Sequence, residues 1–207
     1  MSRIFFAVLL PAGIRKKIVS LQSRIPVNPE DIKWTEENNL HITLHFVGET
    51  SEAKLRQLLQ GAEVAADCCR QFTASVKGVG VFPSLASPRV LWAGIDEGRY
   101  DIMALARSLS VALGVFPDRR YVPHNTLGRV RSEKKVYLED FIRNEKDFMT
   151  EKFRVNSFFC MESILTRKGP VYKKVKEIFS KKINNCGKQD FSRRKRTDLK
   201  AGEQMFG

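Results

Sequence analysis

Residues 40–47 read Leu-His-Ile-Thr-Leu-His-Phe-Val, in which apolar and polar side chains alternate through Phe46. Successive side chains of a β-strand point to opposite faces, so strict alternation indicates a strand with one buried face. The stretch therefore predicts a strand whose polar face carries His41, Thr43 and, by the same parity, His45.

The tetrapeptide His41-Ile42-Thr43-Leu44 has a counterpart in His124-Asn125-Thr126-Leu127, 83 residues further along the chain. With 3 His, 8 Thr and 17 Leu among 207 residues, two accidental copies have a probability on the order of a few in 100,000. The second copy opens a predicted strand over residues 124–130, with its His and Thr on one face. One histidine on such a strand is more often structural than catalytic, but two matched copies favour a shared catalytic role.

Apolar periodicity along the rest of the chain predicts interleaved strands and helices. Several neighbouring strands have connections too short for a crossover helix, which indicates an α+β fold with antiparallel sheets. The predicted strands cover residues 4–10, 32–35, 40–47, 72–81, 89–95, 124–130, 153–166 and 171–179, and the predicted helices cover residues 12–24, 51–69, 99–113 and 135–148.

The chain is strongly basic, with 36 Lys+Arg against 23 Asp+Glu and a formal net charge of +13. Residues 180–207 contain eight basic and three acidic residues, which leaves a surplus of +8 in residues 1–179. We expect one domain over residues 1–179, followed by a basic, disordered tail that is either a solvated end or an RNA-binding arm. The basic body indicates a polyanionic partner, either nucleic acid or a phosphorylated small molecule.

Composition excludes several classes of protein. No apolar run approaches the ~20 residues of a membrane-spanning helix, so we expect no membrane association. The apolar stretch Ile4 to Leu10 is short and lacks a small-residue cleavage site, which favours a first strand over a signal peptide. The four cysteines form no CxxC pair, which is typical of reduced thiols in a cytoplasmic protein without a zinc site.

The paired motif suits acid–base chemistry on a phosphoester. The unperturbed histidine pKa of about 6.5 allows one imidazole to accept a proton while the other donates one near neutral pH. A threonine hydroxyl two residues along the same face can donate a hydrogen bond to a phosphate oxygen. The sequence contains no carboxylate cluster with metal-ligand spacing, so we expect neither a metal nor a cofactor.

Paired HxTx motifs resemble those of the two-histidine (2H) phosphoesterases, and further segments are similar to the RNA 2′,3′-cyclic phosphodiesterase branch, historically called 2′-5′ RNA ligase. The resemblance covers roughly residues 3–179, and the basic tail falls outside it. The segments that carry it are Ile4 to Val8 with Leu10-Pro11, Trp34, Asn39 to Glu49, Gly78 to Pro83, Pro88 to Trp92, Pro123 to Arg129 and Gly169 to Tyr172.

The resemblance implies a bilobal, pseudo-symmetric fold, with two antiparallel sheets flanked by helices around a central cleft. It also implies metal-free hydrolysis of RNA 2′,3′-cyclic phosphate ends to 2′-phosphates, with His124 as proton acceptor and His41 as proton donor. Thr43 and Thr126 would hold the phosphate. Arg129 would contact the phosphate or a base, which requires a β-bulge near Gly128 because strict alternation turns it away from His124.

Two neighbouring positions depart from the family pattern: Asn125 replaces an apolar residue or proline, and Gly128 replaces alanine. The resemblance leaves the RNA open, with tRNA fragments, other cyclic-phosphate ends and 2′-5′-linked oligonucleotides as candidates. We expect a monomer. A non-catalytic RNA-binding module and a reversible 2′-5′ RNA ligase remain alternative functions.

Several other side chains are secondary candidates. His45 either lines the cleft or is a partly exposed bystander, and Tyr172 is a candidate to approach the cleft. Phe5 and Phe46 are candidates to stack on a base, although core packing is the default for aromatic residues in apolar strands. Trp34 and Trp92 are expected to be core residues.

Overall fold

The computed structural model describes residues 2–131, 136–166 and 169–181. Within these ranges the chain forms ten strands and four α-helices, and no described helix has both the length and the apolar character of a membrane span. In chain order the elements are β1 (Ser2–Leu9), α1 (Ala12–Ser23), β2 (Ile32–Trp34), β3 (His41–Thr50), α2 (Glu52–Asp67), β4 (Phe72–Ala74), β5 (Val76–Phe82), β6 (Val90–Ile95), α3 (Arg99–Ala112), β7 (His124–Val130), α4 (Glu139–Asn144), β8 (Phe153–Val155), β9 (Ser157–Thr166) and β10 (Gly169–Phe179).

Eight of the strands form one sheet, which consists of two antiparallel halves of four strands each. One half has the order β10-β9-β1-β3; in the other, β7 lies between β6 and β2, and β5 follows β6. The halves are joined by one residue pair, Ile42 of β3 with Asn125 of β7. Strands β4 and β8 form a separate two-stranded sheet. The predicted α+β fold with antiparallel sheets, and with one motif strand in each half, is confirmed.

Strand β1 is buried on both faces from Ile4 to Val8, which explains the unbroken apolar sequence of this stretch. Ile4, Phe6 and Val8 point into the main core, which also contains the apolar faces of α1 and α3. Phe5 and Ala7 point the other way, into a smaller apolar cluster. The Phe5 ring lies 5.1 Å from the His41 ring, measured between centroids. Phe5 and His41 therefore lie on the same face of the sheet.

The helix predicted over residues 135–148 is shorter in the structure. Helix α4 covers Glu139–Asn144, and residue 135 lies outside the described ranges. After α4 the chain approaches the edge of β5, where the Gly78 amide donates a hydrogen bond to the Phe148 carbonyl at 2.8 Å. The Phe148 carbonyl has its hydrogen-bond partner on β5, so the chain does not require a further helical turn to satisfy it. The helix therefore ends early.

The body of the protein continues two residues past the expected boundary at residue 179. Ser180 is buried and its amide donates to the Asn156 carbonyl at 2.9 Å. The Lys181 amide donates to the Cys69 carbonyl at 3.1 Å. Residues 182–207 of the expected tail lie outside the described ranges, and the disorder of the tail stays a prediction.

Gly80 makes room for the indole ring of Trp92 on the facing strand. The two residues are cross-strand partners in β5 and β6, and a Cβ atom at position 80 would lie 2.2 Å from Cζ2 of Trp92. The indole ring lies 5.1 Å from the Phe82 ring and 6.3 Å from the His124 ring, measured between centroids. The absence of a side chain at Gly80 therefore sets the position of the aromatic wall beside the second motif.

Substitution Gly80→Ala should lower the free energy of unfolding by about 1–3 kcal/mol, because the added methyl group overpacks the Trp92 ring. Urea denaturation measures this change. Gly13→Ala is the matched control: an added Cβ meets nothing within 4 Å at this position in helix α1, and alanine is the better helix former. A Gly80→Ala protein as stable as the wild type would contradict this account of the wall.

Candidate active site

The pair formed by Ile42 and Asn125 brings the two motifs together. Both residues are fully buried. Extending this antiparallel register by one residue each way sets His41 opposite Thr126 and Thr43 opposite His124. All four side chains lie on the face opposite the buried pair, where cross-strand neighbours are about 5 Å apart. Two histidines and two threonines thus form one cluster at the junction of the halves.

Each histidine is held by the same backbone device. Nδ1 of His41 lies 2.6 Å from the Asn39 carbonyl, and Nδ1 of His124 lies 2.7 Å from the Val122 carbonyl. A carbonyl oxygen can only accept, so Nδ1 carries the hydrogen and donates it in both residues. Each neutral imidazole therefore has its lone pair on Nε2, the atom available to accept or return a proton.

The Nε2 atoms differ in their protein partners. Nε2 of His41 lies 3.0 Å from the Thr43 hydroxyl. For Nε2 of His124, the described residues provide no hydrogen-bond partner. The hydroxyl of Thr43 can donate to neutral His41 or accept from its protonated form, so this contact suits both protonation states. The first motif thus contains an internally paired imidazole, and the second an imidazole free to receive a ligand.

Aromatic rings flank both histidines in a similar way. The His41 ring lies 5.1 Å from Phe5 and 5.3 Å from Tyr172, an edge-on neighbour on β10. The His124 ring lies 5.1 Å edge-on to Phe82 and 6.3 Å from Trp92. Tyr172, a secondary candidate in the sequence, therefore does approach the site. Both imidazoles therefore pack against aromatic rings, which reduces their contact with water.

Arg129 reaches the site because strand β7 is bulged. Trp92 pairs with Thr126 but Leu91 pairs with Gly128, so Leu127 is an extra residue in β7. The extra residue reverses the alternation and turns exposed Arg129 to the face that carries the histidines. The β-bulge near Gly128 that a site role for Arg129 requires is thus present.

A buried glutamine on α1 holds this bulge in place. Nε2 of Gln22 donates hydrogen bonds to the Leu127 carbonyl at 2.7 Å and to the Thr35 carbonyl at 2.9 Å. The Thr35 amide also donates to the Leu127 carbonyl at 2.9 Å. Sequence reasoning missed Gln22, although it continues the buried face of α1 marked by Ile14 and Ile18, where a polar residue requires partners.

Two further side chains cross between the halves to bind the backbone of the first motif. Nδ2 of Asn125 donates to the His41 carbonyl at 2.9 Å, and the Tyr121 hydroxyl donates to the Thr43 carbonyl at 2.8 Å. Burial raises the pKa of Tyr121, so its hydroxyl keeps its proton and remains a donor. Asn125, the polar residue that departs from the family pattern, thus links the two halves by a hydrogen bond.

The parity prediction for His45 is wrong, because β3 is also bulged. Phe6 pairs with His45 but Ala7 pairs with Thr43, so Leu44 is an extra residue and the alternation reverses. His45 faces a groove of about 660 Å³ that side chains of α3 also line.

The same reversal exposes Phe46 on the site face. Its side chain is 68% exposed and its ring lies 5.9 Å from Phe5, so the default of core packing is wrong for Phe46. That default is confirmed for Phe5, which is buried. Both tryptophans are half-buried: Trp34 packs against the main core as expected, whereas Trp92 contributes to the site wall.

Burial lowers the pKa of both motif histidines below the ordinary value of 6.5. For His41, burial acts most strongly; the hydrogen bond to Asn39 raises the pKa, and the charges of His124 and Arg129 lower it. For His124, burial again dominates, Val122 raises the pKa and Arg129 lowers it. The guanidinium of Arg129 is thus electrostatically coupled to both imidazoles.

The described residues contain no group of three or more His, Cys, Asp or Glu side chains arranged to hold a metal ion. The groups that face the site are imidazoles, hydroxyls and a guanidinium. This set can transfer protons and bind an anion.

Comparison with known proteins gives concordant matches. A family described as "LigT like Phosphoesterase" matches residues 8–92, a range that includes the first motif. An RNA 2′,3′-cyclic phosphodiesterase of Methanothermobacter thermautotrophicus is 35% identical over 177 residues, covering 82% of this chain and 94% of its own. Another from Aquifex aeolicus is 32% identical over 152 residues, covering 71% of this chain and 81% of its own.

Solved structures share the fold over most of the chain. The crystal structure of TT0787 from Thermus thermophilus has a TM-score of 0.72 and 26% identity, covering 88% of this chain and all of its own. Escherichia coli LigT complexed with 3′-AMP has a TM-score of 0.69 and 27% identity, covering 86% of this chain and 98% of its own.

Substitution Arg129→Gln should raise the pKa of His41 and of His124, because it removes a positive charge that opposes their protonation. Titration followed by NMR of the imidazole protons measures all three histidines in one sample. His45 is the internal control: burial alone lowers its pKa, so its titration should not move. Unchanged values for His41 and His124 would show that Arg129 lies outside electrostatic reach of them.

Proposed function

Because the chain belongs to the LigT-like phosphoesterase family, we propose that it hydrolyses RNA 2′,3′-cyclic phosphodiester ends to 2′-phosphomonoesters. The observation that carries the proposal is the single cluster of His41, Thr43, His124 and Thr126 at the junction of the two halves. The name of the curated relatives, RNA 2′,3′-cyclic phosphodiesterase, supports the same substrate class. The complex of Escherichia coli LigT with 3′-AMP supports a nucleotide ligand for this fold.

In the proposed reaction, Nε2 of His124 accepts a proton from water as the water oxygen attacks phosphorus. The bond between phosphorus and O3′ breaks, and Nε2 of His41 gives its proton to O3′. The product has a 2′-phosphate and a free 3′-hydroxyl, and solvent exchange returns each imidazole to its starting state. Nε2 of His124 has no hydrogen-bond partner among the residues that the structure describes, which supports its role as the base. A lowered pKa makes protonated His41 a stronger acid.

Repulsion between the two imidazoles opposes the protonation of both at once. A charge on His124 lowers the pKa of His41, so the two histidines do not titrate independently. Hydrolysis needs one protonated and one neutral imidazole, the state that this repulsion favours. The pH dependence of kcat/KM should accordingly be bell-shaped.

Charge that develops on the phosphate would be stabilised by donors of the protein. We assign the hydroxyls of Thr43 and Thr126 and the guanidinium of Arg129 to the non-bridging oxygens. Arginine is suited to this task because it presents paired N–H groups and remains charged at neutral pH. These donors support a reaction that needs no metal ion, and that independence is part of the proposal.

The physiological RNA is proposed only by its chemistry, an end that carries a 2′,3′-cyclic phosphate; tRNA fragments are one example. We propose that a monomeric domain over residues 1–179 acts on this RNA in the cytoplasm. Among the described residues Cys68, Cys69 and Cys160 are free thiols, which supports a reducing compartment. Ligation by a 5′-hydroxyl shares the same attack geometry, and water as the abundant nucleophile favours hydrolysis.

The His41→Ala and His124→Ala proteins should each lose at least 10²–10⁴-fold in kcat on a 2′,3′-cyclic nucleotide, because each removes one proton-transfer group. His45→Ala, which changes a histidine outside the cluster, is the matched control and should keep wild-type turnover. Chromatography of the product in the presence of EDTA identifies the phosphate position and tests metal independence together.

Full turnover by either motif variant would overturn the assigned roles. Tight RNA binding by the wild type without any product from cyclic-phosphate substrates would favour the non-catalytic binding module. A 3′-phosphate product would mean that the P–O2′ bond breaks instead. Activity that EDTA abolishes would contradict the metal-free mechanism.

A further inference from the structure

Lys33 lies beside Arg129 on the same face of the sheet. The two residues are cross-strand partners in β2 and β7, and the adjacent pair, Ile32 with Val130, is buried. Alternation therefore directs Lys33 and Arg129 together to the outer face, and both side chains are exposed. Because the β7 bulge has already brought Arg129 to the face of the histidines, Lys33 shares that face.

Lys33 reaches from β2 toward the start of β10 in the other half. A Cβ atom at Gly169 would lie 3.6 Å from both Cε and Nζ of Lys33. Close by, Nδ2 of Asn39 donates to the Pro170 carbonyl at 3.2 Å. Strand β10 also supplies Tyr172 to the His41 ring. The ammonium group of Lys33 thus lies at an edge of the site where the two halves approach each other.

The pairing of Lys33 with Arg129 is unfavourable in the absence of an anion. Like charges directly opposite each other on neighbouring strands repel and destabilise a sheet. No Asp or Glu within the described residues forms an ion pair with Lys33 or Arg129. Two exposed cations side by side, with no ion-pair partner in the described part of the chain, are suited to bind phosphate groups.

The two cations reach different parts of the site. The charge of Arg129 lowers the pKa of His41, His124 and Tyr172, so this guanidinium acts on the groups around the imidazoles. The ammonium group of Lys33 instead lies beside Gly169, at the start of β10. The end of an RNA chain offers two phosphates to such a pair of cations: the terminal cyclic phosphate and the next phosphodiester toward the 5′ end.

We propose that Lys33 binds the phosphodiester on the 5′ side of the terminal nucleotide, while Arg129 binds the cyclic phosphate; this inference rests on the proposed function. The long, flexible lysine side chain suits a contact with a single charge at variable geometry. The subsite makes the enzyme prefer a nucleotide that is part of an RNA chain over a free nucleoside cyclic phosphate.

Three substrates separate the two phosphate contacts: uridine 2′,3′-cyclic phosphate, the same nucleotide with a 5′-phosphate, and the dinucleotide UpU with a 2′,3′-cyclic phosphate end. In the Lys33→Gln protein, kcat/KM should fall about three- to tenfold for the latter two and stay within about twofold for the first. The slope of log kcat/KM against log salt for the dinucleotide should become shallower by about 0.7.

The Lys33→Arg protein keeps the positive charge and should still prefer the dinucleotide over uridine 2′,3′-cyclic phosphate. Lys173→Gln is the matched control, because this exposed lysine follows Tyr172 on β10 and points to the opposite face. An equal loss on all three substrates would overturn the subsite, since Lys33 would then act on the reacting phosphate. An equal effect of Lys173→Gln would also overturn it, since general charge would explain the loss.

If the wild type turns over none of these substrates, the proposed function fails but the subsite can still be measured. Calorimetry then compares uridine 2′,5′-bisphosphate with uridine 2′-monophosphate. Weaker binding of the bisphosphate alone in Lys33→Gln supports the subsite, and equal changes for both ligands overturn it.

Discussion

The contact between Ile42 and Asn125 is the constraint on which the site depends. Two four-stranded halves diverge from this single pair, so the positions of His41 and His124 relative to each other follow from it. The side chain of Asn125 strengthens the contact by binding the His41 carbonyl at 2.9 Å. The reactive side chains lie at this junction, where the two halves of the sheet pair with each other.

The environment of the site disfavours positive charge on its own side chains. Burial makes protonation of both imidazoles less favourable, and the guanidinium of Arg129 adds to this effect. Lys33 and Arg129 repel each other across the strand pair. An anionic phosphate would offset the positive charges of Arg129 and Lys33 and favour protonation of an imidazole, so the charges of the site suit an anionic ligand. Such preorganised donors cost little reorganisation when substrate binds.

Much of the fold and the central cluster could be predicted from the sequence. The doubled HxTL motif identified His41, Thr43, His124 and Thr126, because alternation in a strand dictates which side chains share a face. Alternation failed where β3 is bulged: the extra residue moved His45 away from the site and exposed Phe46. Strand periodicity carries no sign of a bulge, whose position depends on pairing with other strands. The partner of Gln22 was also out of reach of the sequence, because the hydrogen bond joins residues 105 positions apart.

The most direct test of the central claim is a crystal structure with a nucleoside 2′-monophosphate bound in the cleft. We expect phosphate oxygens within about 2.6–3.2 Å of Nε2 of both His41 and His124, with the hydroxyls of Thr43 and Thr126 and the guanidinium of Arg129 on the same group. A nucleotide whose phosphate contacts only one of the two imidazoles, or lies outside the junction of the halves, would contradict the paired-histidine mechanism.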